Sequence, residues 1–152
     1  MANPKETLLW SIALPGFGQF LNKKYLKGLL FVILEFLINV KSNFNTIILL
    51  SFHGKIDQAI GTTNYQWLMF YPCLYFFSMW DAFKDAGGGR TKHAYLPFVF
   101  CAYFVTVGCI YSPNLKIFGI LFGPVWLPIL FVIPGILVGF LIKTIIYKKD
   151  PT

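Results

Sequence analysis

Two carboxylates, Asp81 and Asp85, stand four residues apart at the end of an apolar run. Residues at i and i+4 share one face of a helix, so this pair could hold a hydrated Mg²⁺ on a phosphate-bearing substrate. Membrane enzymes that use such pairs on lipid headgroups need further acidic residues, and the other acids here are scattered: Glu6, Glu35, Asp57 and Asp150. We therefore expect Asp81 and Asp85 to pair with nearby cations, for which the candidates are Lys84, Arg90 and Lys92.

Glu35 lies inside an apolar run, about eight residues or roughly 12 Å of helix rise beyond Lys27. A charge at that depth in a membrane is costly, so a carboxyl there is a functional-site hypothesis. Gly28 and Asn39 lie near the same helical face, and with Gln19 they are candidates for helix contact or transport. Two interpretations stay open. Glu35 either pins two helices together, which we favour, or takes part in a proton or ion relay.

Other catalytic sets cannot be assembled from this sequence. His53 and His93 fall on opposite sides of the membrane in the topology that the charges favour, so they cannot share a haem or a metal. The three cysteines lie in apolar runs without a C-x-x-C motif, which indicates free core thiols. There is no G-x-S-x-G motif. The sequence therefore predicts no metal, no cofactor and no enzymatic activity.

The composition calls for a membrane environment. Of 152 residues, 57% are hydrophobic and 12% are charged, which is more apolar side chain than a soluble domain of this size can bury. The formal net charge is +7. The basic residues lie between apolar runs and form no basic face with interleaved aromatics, which argues against nucleic acid as a partner. We expect one integral membrane domain, residues 1–152.

Apolar blocks measured against the roughly 20 residues that cross a bilayer predict the spans. Five blocks are candidates: Thr7–Leu21, Lys27–Val40, Tyr65–Phe83, Ala94–Ser112 and about Ile117–Ile142. The first is short and broken by proline and glycine, and the second is short unless it continues into Thr46–Phe52. We expect an all-α polytopic bundle of about five spans. If Thr7–Leu21 is re-entrant there are four, although non-helical backbone at membrane depth needs protein or water around it.

The basic residues predict the orientation of these spans. Nine of them fall in loops that alternate with the spans: Lys23, Lys24, Lys27, Lys84, Arg90, Lys92, Lys143, Lys148 and Lys149. The positive-inside rule places these loops and the C-terminus in the cytoplasm. Lys23, Lys24 and Lys27 would then contact anionic lipids of the inner leaflet of the plasma membrane, each contributing about 1 kcal/mol of attraction.

The last apolar block carries two G-x-x-x-G motifs, Gly119 to Gly123 and Gly135 to Gly139. Small residues at this spacing let two helices approach backbone to backbone. Three prolines lie between the outer ends of the motifs: Pro124, Pro128 and Pro134. They predict a kinked or interrupted helix. The helix that packs on these glycines belongs either to this chain or to a partner protein.

Three motifs of the N-terminal half occur in order. They are an apolar helix ending in "LPGFGQF", a basic turn with Tyr25 and "KG", and a later helix closing on "WDAF". This arrangement resembles the TM2-domain family and related small bacterial membrane proteins over Leu14 to about Phe83, with the family's aspartate at Asp81. The family typically has two spans and an Arg-Phe-Tyr-type turn, whereas this chain has "QFLNKKY" and an insertion from about Lys41 to Asn64. The resemblance implies a helical hairpin scaffold and a non-enzymatic role, and it does not extend to residues 94–152.

The expected function is that of a non-catalytic accessory or scaffold subunit of the plasma membrane. Its partners would be membrane lipids and either another membrane protein or further copies of the chain. One alternative is a small transporter or channel component in which Glu35 lines a polar path with Gln19 and Asn39. A third is a Mg-dependent enzyme that acts on lipid phosphate through Asp81 and Asp85.

Overall fold

A computed structural model describes residues 2–149, except for the side chain of Lys149. The chain is mostly helical, with 76% of residues in helices. Within the described range the elements are α1 (Pro4–Ala13), α2 (Phe17–Leu21), α3 (Tyr25–Ser42), α4 (Phe44–Phe52), α5 (Ile56–Thr62), α6 (Tyr65–Leu68), α7 (Phe70–Asp85), α8 (Leu96–Tyr111), β1 (Lys116–Ile117), β2 (Ile120–Leu121) and α9 (Gly123–Lys149). The two strands form one antiparallel hairpin.

Helices α1 and α2 form a tight hairpin. The chain reverses at Gly16, whose φ of 105° lies in the left-handed region that glycine adopts readily. Gly18 faces α1 and α7 so closely that a Cβ atom there would lie 2.9 Å from the Thr7 carbonyl oxygen and 2.7 Å from the Ala82 Cβ atom. The Asn22 Nδ2 atom also donates to the Ala82 carbonyl oxygen at 2.8 Å. The beginning and the end of the hairpin therefore lie beside the same end of α7.

The segment Thr7–Leu21 thus doubles back and does not run in one direction. Helix α1 has 10 residues and α2 has 5, so neither is long enough to cross a bilayer. The backbone at the bend is enclosed by protein, because Pro15 and Gly16 are buried and a Cβ atom on Gly16 would lie 2.6 Å from the Gly28 carbonyl oxygen. The non-helical backbone of this bend is therefore surrounded by protein.

Helix α3 ends at Ser42 and does not continue into the following apolar stretch. Asn43 has a φ of 62°, the left-handed conformation that ends helices, and α4 begins at the next residue. The Asn43 side chain donates to the Thr62 carbonyl oxygen at 3.0 Å, which ties this break to α5. Helices α4 and α5 then pack on the start of α9 through a buried cluster of Ile47, Ala59 and Val125.

Helices α8 and α9 are packed backbone to backbone. A Cβ atom on Gly139 would lie 2.6 Å from the Pro97 Cα atom, and one on Gly135 would lie 2.8 Å from the Cys101 Cα atom. The second G-x-x-x-G motif therefore serves a helix contact inside this chain. Helix α9 continues through Pro128 and Pro134, so of the two expected outcomes, a kinked or an interrupted helix, the interrupted one is wrong.

The two glycines of the first G-x-x-x-G motif do not share a face of one helix. Gly119 lies in the turn between β1 and β2 with a φ of 81°, and a Cβ atom there would meet nothing within 4 Å. Gly123 is the first residue of α9 and faces the Ile56 side chain. The predicted last span therefore begins about six residues too early, because the apolar residues of the β-hairpin cannot be told from helix by composition.

Among the described residues, one helix meets both the length and the apolarity needed to cross a bilayer. It covers Gly123–Lys148, with a mean hydropathy of 2.6. Only 28% of its most apolar window is buried within the protein, so most of that apolar surface faces outward. Helix α8 is apolar as well but has 16 residues.

Candidate functional site

The end of α7 carries the largest group of interacting polar side chains that sequence analysis singled out. The Lys27 Nζ atom lies 2.7 Å from the Asp81 Oδ1 atom and 2.9 Å from the Asp85 Oδ2 atom. The two aspartates share one face of α7, as their spacing predicts. The cation between them is Lys27 of α3, more than 50 residues away in sequence. The expected partners, which all came from residues 84–92, did not include it.

Gln19 connects this group to the α1–α2 hairpin. Its side chain is fully buried, and its Nε2 atom donates to the Ser78 carbonyl oxygen at 2.9 Å and to the Asp81 Oδ2 atom at 3.1 Å. We call Gln19, Lys27, Asp81 and Asp85 the basal cluster. It fastens the hairpin, the start of α3 and the end of α7 together, so the motifs "LPGFGQF", "KG" and "WDAF" meet in one place.

The electrostatics of the basal cluster are those of a partly exposed ion pair. Lys27 lies in the first turn of α3, before the apolar run that begins at Gly28. Its ammonium group donates hydrogen bonds to Asp81 and Asp85, which stabilise the charged form. The Lys27 side chain is 46% exposed, and ion pairs of that kind contribute about 0–1 kcal/mol each. The cluster therefore fixes the relative position of the hairpin, α3 and α7 and adds little to the free energy of unfolding.

The three lysines predicted to contact anionic lipid are not equivalent. Lys23 and Lys24 are exposed at the turn between α2 and α3. Lys27 is exposed too, but its ammonium group is directed at two carboxylates. Lys23 and Lys24 are thus the better candidates for headgroup contact.

Glu35 lies outside the basal cluster, two turns further along α3. It is 7% exposed, and its carboxyl group interacts with the Tyr71 hydroxyl group as a hydrogen-bond partner. The Glu35 Oε2 atom is buried and has no hydrogen-bond partner among the described residues. Tyr75 stacks on the Tyr71 ring, with the two ring centroids 5.6 Å apart. The Tyr75 hydroxyl group donates to the Ile12 carbonyl oxygen at 2.6 Å. Glu35 therefore joins α3 to α7, and the neighbouring tyrosine joins α7 to α1.

The other residues predicted to accompany Glu35 point to different partners. The Asn39 Nδ2 atom donates to the Asn45 Oδ1 atom at 3.0 Å, across the break between α3 and α4. Gly28 packs against the Phe20 ring of the hairpin. Gln19 belongs to the basal cluster. The hydrogen bonds of Gln19 and Asn39 thus lead away from Glu35.

The two carboxylates of the basal cluster are the only sequence candidates for metal binding. In the part of the chain that the structure describes, no group of three His, Cys, Asp or Glu side chains comes together. The carboxylate oxygens of Asp81 and Asp85 already contact a cation of the protein itself, the ammonium group of Lys27. The arrangement therefore holds three segments of the chain together.

Comparison with known proteins adds no family assignment. The chain matches no protein-family model, no curated protein and no solved structure. The resemblance to the TM2-domain family therefore stays an expectation that rests on the three motifs.

Proposed function

We propose that this chain is a multi-pass protein of the plasma membrane with four spanning segments and one re-entrant hairpin. The spans are α3, α7, α8 and α9, and both termini are cytoplasmic. The observation that carries this proposal is the outward apolar surface of these helices. Large apolar residues are more than half exposed on each of them, among them Leu29, Leu30, Ile33, Phe36, Phe70, Phe77, Val99, Tyr103, Ile133, Leu137 and Phe140.

Water would disfavour so much contiguous apolar surface, whereas lipid would not. Helices α7 and α8 have 16 residues each, or about 24 Å, against a hydrocarbon core of about 30 Å. Local thinning of the bilayer accommodates spans that are somewhat short. The hairpin enters from the cytoplasmic side, where Lys23 and Lys24 meet anionic headgroups.

Cysteine labelling of intact cells tests this topology. In a background with the three native cysteines replaced by alanine, we expect Lys55→Cys to react with a membrane-impermeant maleimide. Lys5→Cys and Lys84→Cys should react only after the cells are permeabilised. Lys5 is the informative position, because a crossing by Thr7–Leu21 would place it outside. Labelling of Lys5→Cys in intact cells would restore the fifth span, and labelling of Lys84→Cys would reverse the orientation.

Within this topology we propose a non-catalytic role as an accessory or scaffold subunit. The polar groups support it, since the basal cluster pairs its charges internally and the Gly135 and Gly139 contacts are used inside the chain. Partner contact would then use the outward aliphatic faces of α3 and α9. Purification from mild detergent tests this role. A stoichiometric membrane-protein partner would support it, and a lone oligomer that conducts ions would contradict it.

A transport role for Glu35 is the second candidate, and one observation favours it: a buried carboxyl oxygen that has no hydrogen-bond partner among the described residues. If Glu35 only joins α3 to α7, Glu35→Gln keeps a hydrogen-bonding side chain of the same shape, so complex recovery should match that of the parent protein. Glu35→Leu removes the bond to Tyr71 and should lower recovery. Both variants are to be assayed for complex recovery and for ion or proton flux.

The relay interpretation predicts a different pattern for the same two variants. Gln cannot titrate, so flux would be lost in Glu35→Gln while complex recovery stayed complete. That result would replace the scaffold role by transport. Unchanged flux in Glu35→Gln, or no flux in the parent protein, would remove the transport candidate.

A further inference from the structure

The packing of α8 against both α7 and α9 leaves a groove between α7 and α9. In the half next to the basal cluster it has a volume of 820 Å³ and is bordered by α1 as well. A second cavity of 380 Å³ continues it toward the other end of the molecule. The two share Ile12, Tyr75, Phe76 and Val132, so together they form one groove along the helices.

The walls of this groove are almost entirely apolar, and its charge is concentrated at one end. Leu8, Met79 and Ile136 are typical of its lining, whereas Arg90, Thr91 and Lys143 form the mouth. The Lys143 Nζ atom donates to the Thr91 Oγ1 atom at 3.1 Å, which holds the ammonium group at the mouth. The Arg90 Nε atom donates to the Gly87 carbonyl oxygen at 3.1 Å, which orients the guanidinium group.

Among the described residues, no carboxylate forms an ion pair with either of the two cations at the mouth. Among the described side chains, the carboxylates that form ion pairs are Asp81 and Asp85, and both pair with Lys27. The terminal nitrogens of Arg90 can bind a phosphate through two parallel hydrogen bonds, and an ammonium group adds a third contact. An apolar groove that opens toward lipid and ends in two cations is complementary to an anionic amphiphile.

We propose that the groove binds one anionic phospholipid, with its phosphate at Arg90 and Lys143 and one acyl chain along α7 and α9 toward Tyr75. The 820 Å³ cavity at the charged end lies in the range of about 300–1,000 Å³ that ligand sites use. Basic pockets between spanning helices on the cytoplasmic side are a recurrent headgroup site. A helix from a second copy or from a partner could fill an apolar groove too, but it would leave the two cations without a counter-charge. The proposal rests on the membrane placement argued above.

Lipid retention measured by native mass spectrometry in mild detergent tests this site. Phosphatidylglycerol and phosphatidylcholine with identical chains are added in parallel, because both carry a phosphate but only phosphatidylglycerol has a net negative charge, the choline group neutralising the other. We expect phosphatidylglycerol to be retained roughly tenfold or more over phosphatidylcholine, since two cations each add attraction. Arg90→Gln combined with Lys143→Gln should abolish the preference. Lys148→Gln, on the same helix but outside the groove, should keep it.

A second pair of variants tests the apolar part without changing charge. Ile136→Trp fills the groove and should reduce retention of phosphatidylglycerol severalfold, although both cations remain. Leu137→Trp adds the same bulk one residue away, where the side chain is 65% exposed and lines none of the described cavities, and should leave retention unchanged. Membrane accumulation of each variant verifies that it folds.

Three results would overturn the lipid site. The first is equal retention of both lipids. The second is full competition by glycerol 3-phosphate, which lacks acyl chains. The third is a dimer, or a complex with another protein, that excludes lipid from the groove. The labelling pattern at Lys5, Lys55 and Lys84 is independent of these results. Indifference to headgroup charge together with the expected labelling would therefore remove the lipid site and leave the membrane topology intact.

Discussion

Gly139→Leu is expected to lower the thermal unfolding midpoint of the purified protein strongly, and Gly135→Leu to do so nearly as much. At both positions the first added carbon would lie within 2.6–2.8 Å of a Cα atom of α8. Backbone cannot rotate away as a flexible side chain can, so α8 and α9 would have to separate. Overpacking of a well-packed interior costs about 1–3 kcal/mol and occasionally more. Because α8 and α9 form the most extensive helix pair of the fold, we expect the upper part of that range.

Gly61→Leu is the matched control for these substitutions. Gly61 is also helical, in α5, but a Cβ atom there would meet nothing within 4 Å. Leucine has a better helix propensity than glycine, so this variant should melt at or above the temperature of the parent protein. Equal midpoints for Gly61→Leu and Gly139→Leu would show that the α8–α9 crossing tolerates bulk, and the close packing described above would then be wrong.

Much of the helical architecture is predictable because apolar block length is a local property. Helix α8, Leu96–Tyr111, falls inside the predicted block Ala94–Ser112, and α7, Phe70–Asp85, overlaps Tyr65–Phe83. The errors lie at chain reversals. Gly16 turns the chain in a left-handed conformation within an apolar stretch, and Asn43 does so in a short polar segment, residues 41–45, between two apolar stretches. Block length alone cannot show that a reversal there is enclosed by other helices.

The candidate site could be predicted only in part. The shared face of Asp81 and Asp85 follows from their i and i+4 spacing, but their pairing with Lys27 depends on how α3 and α7 pack. One signal was present in the sequence. The positive-inside assignment puts Lys27 at the same membrane side as the end of the Asp81 helix. Any cation predicted on that side of the membrane is a candidate partner for Asp81 and Asp85, and Lys27 meets this condition. The role of Tyr71 beside Glu35 had no such signal, because tyrosines near a predicted span end are common.

Gly18→Ala should destabilise the protein and loosen the α1–α2 hairpin, although it adds a single methyl group. That methyl group would lie 2.7 Å from the Ala82 Cβ atom and 2.9 Å from the Thr7 carbonyl oxygen, and it would also collide with the Ser11 hydroxyl group. Neither Ala82 nor the Thr7 backbone can rotate away, so we expect the free energy of unfolding to fall by about 1–3 kcal/mol.

The same change at Gly61, which has open space, should raise the free energy of unfolding by about 0.5–1 kcal/mol, because alanine restricts the unfolded chain and suits a helix interior. Thermal unfolding in detergent measures both variants, and opposite signs are the expected result. Proteolysis should also cut the N-terminal segment faster in Gly18→Ala, since Gln19 of α2 and Asn22 directly after it hold the hairpin against α7. Unchanged stability and unchanged proteolysis in Gly18→Ala would mean that α2 does not pack between α1 and α7.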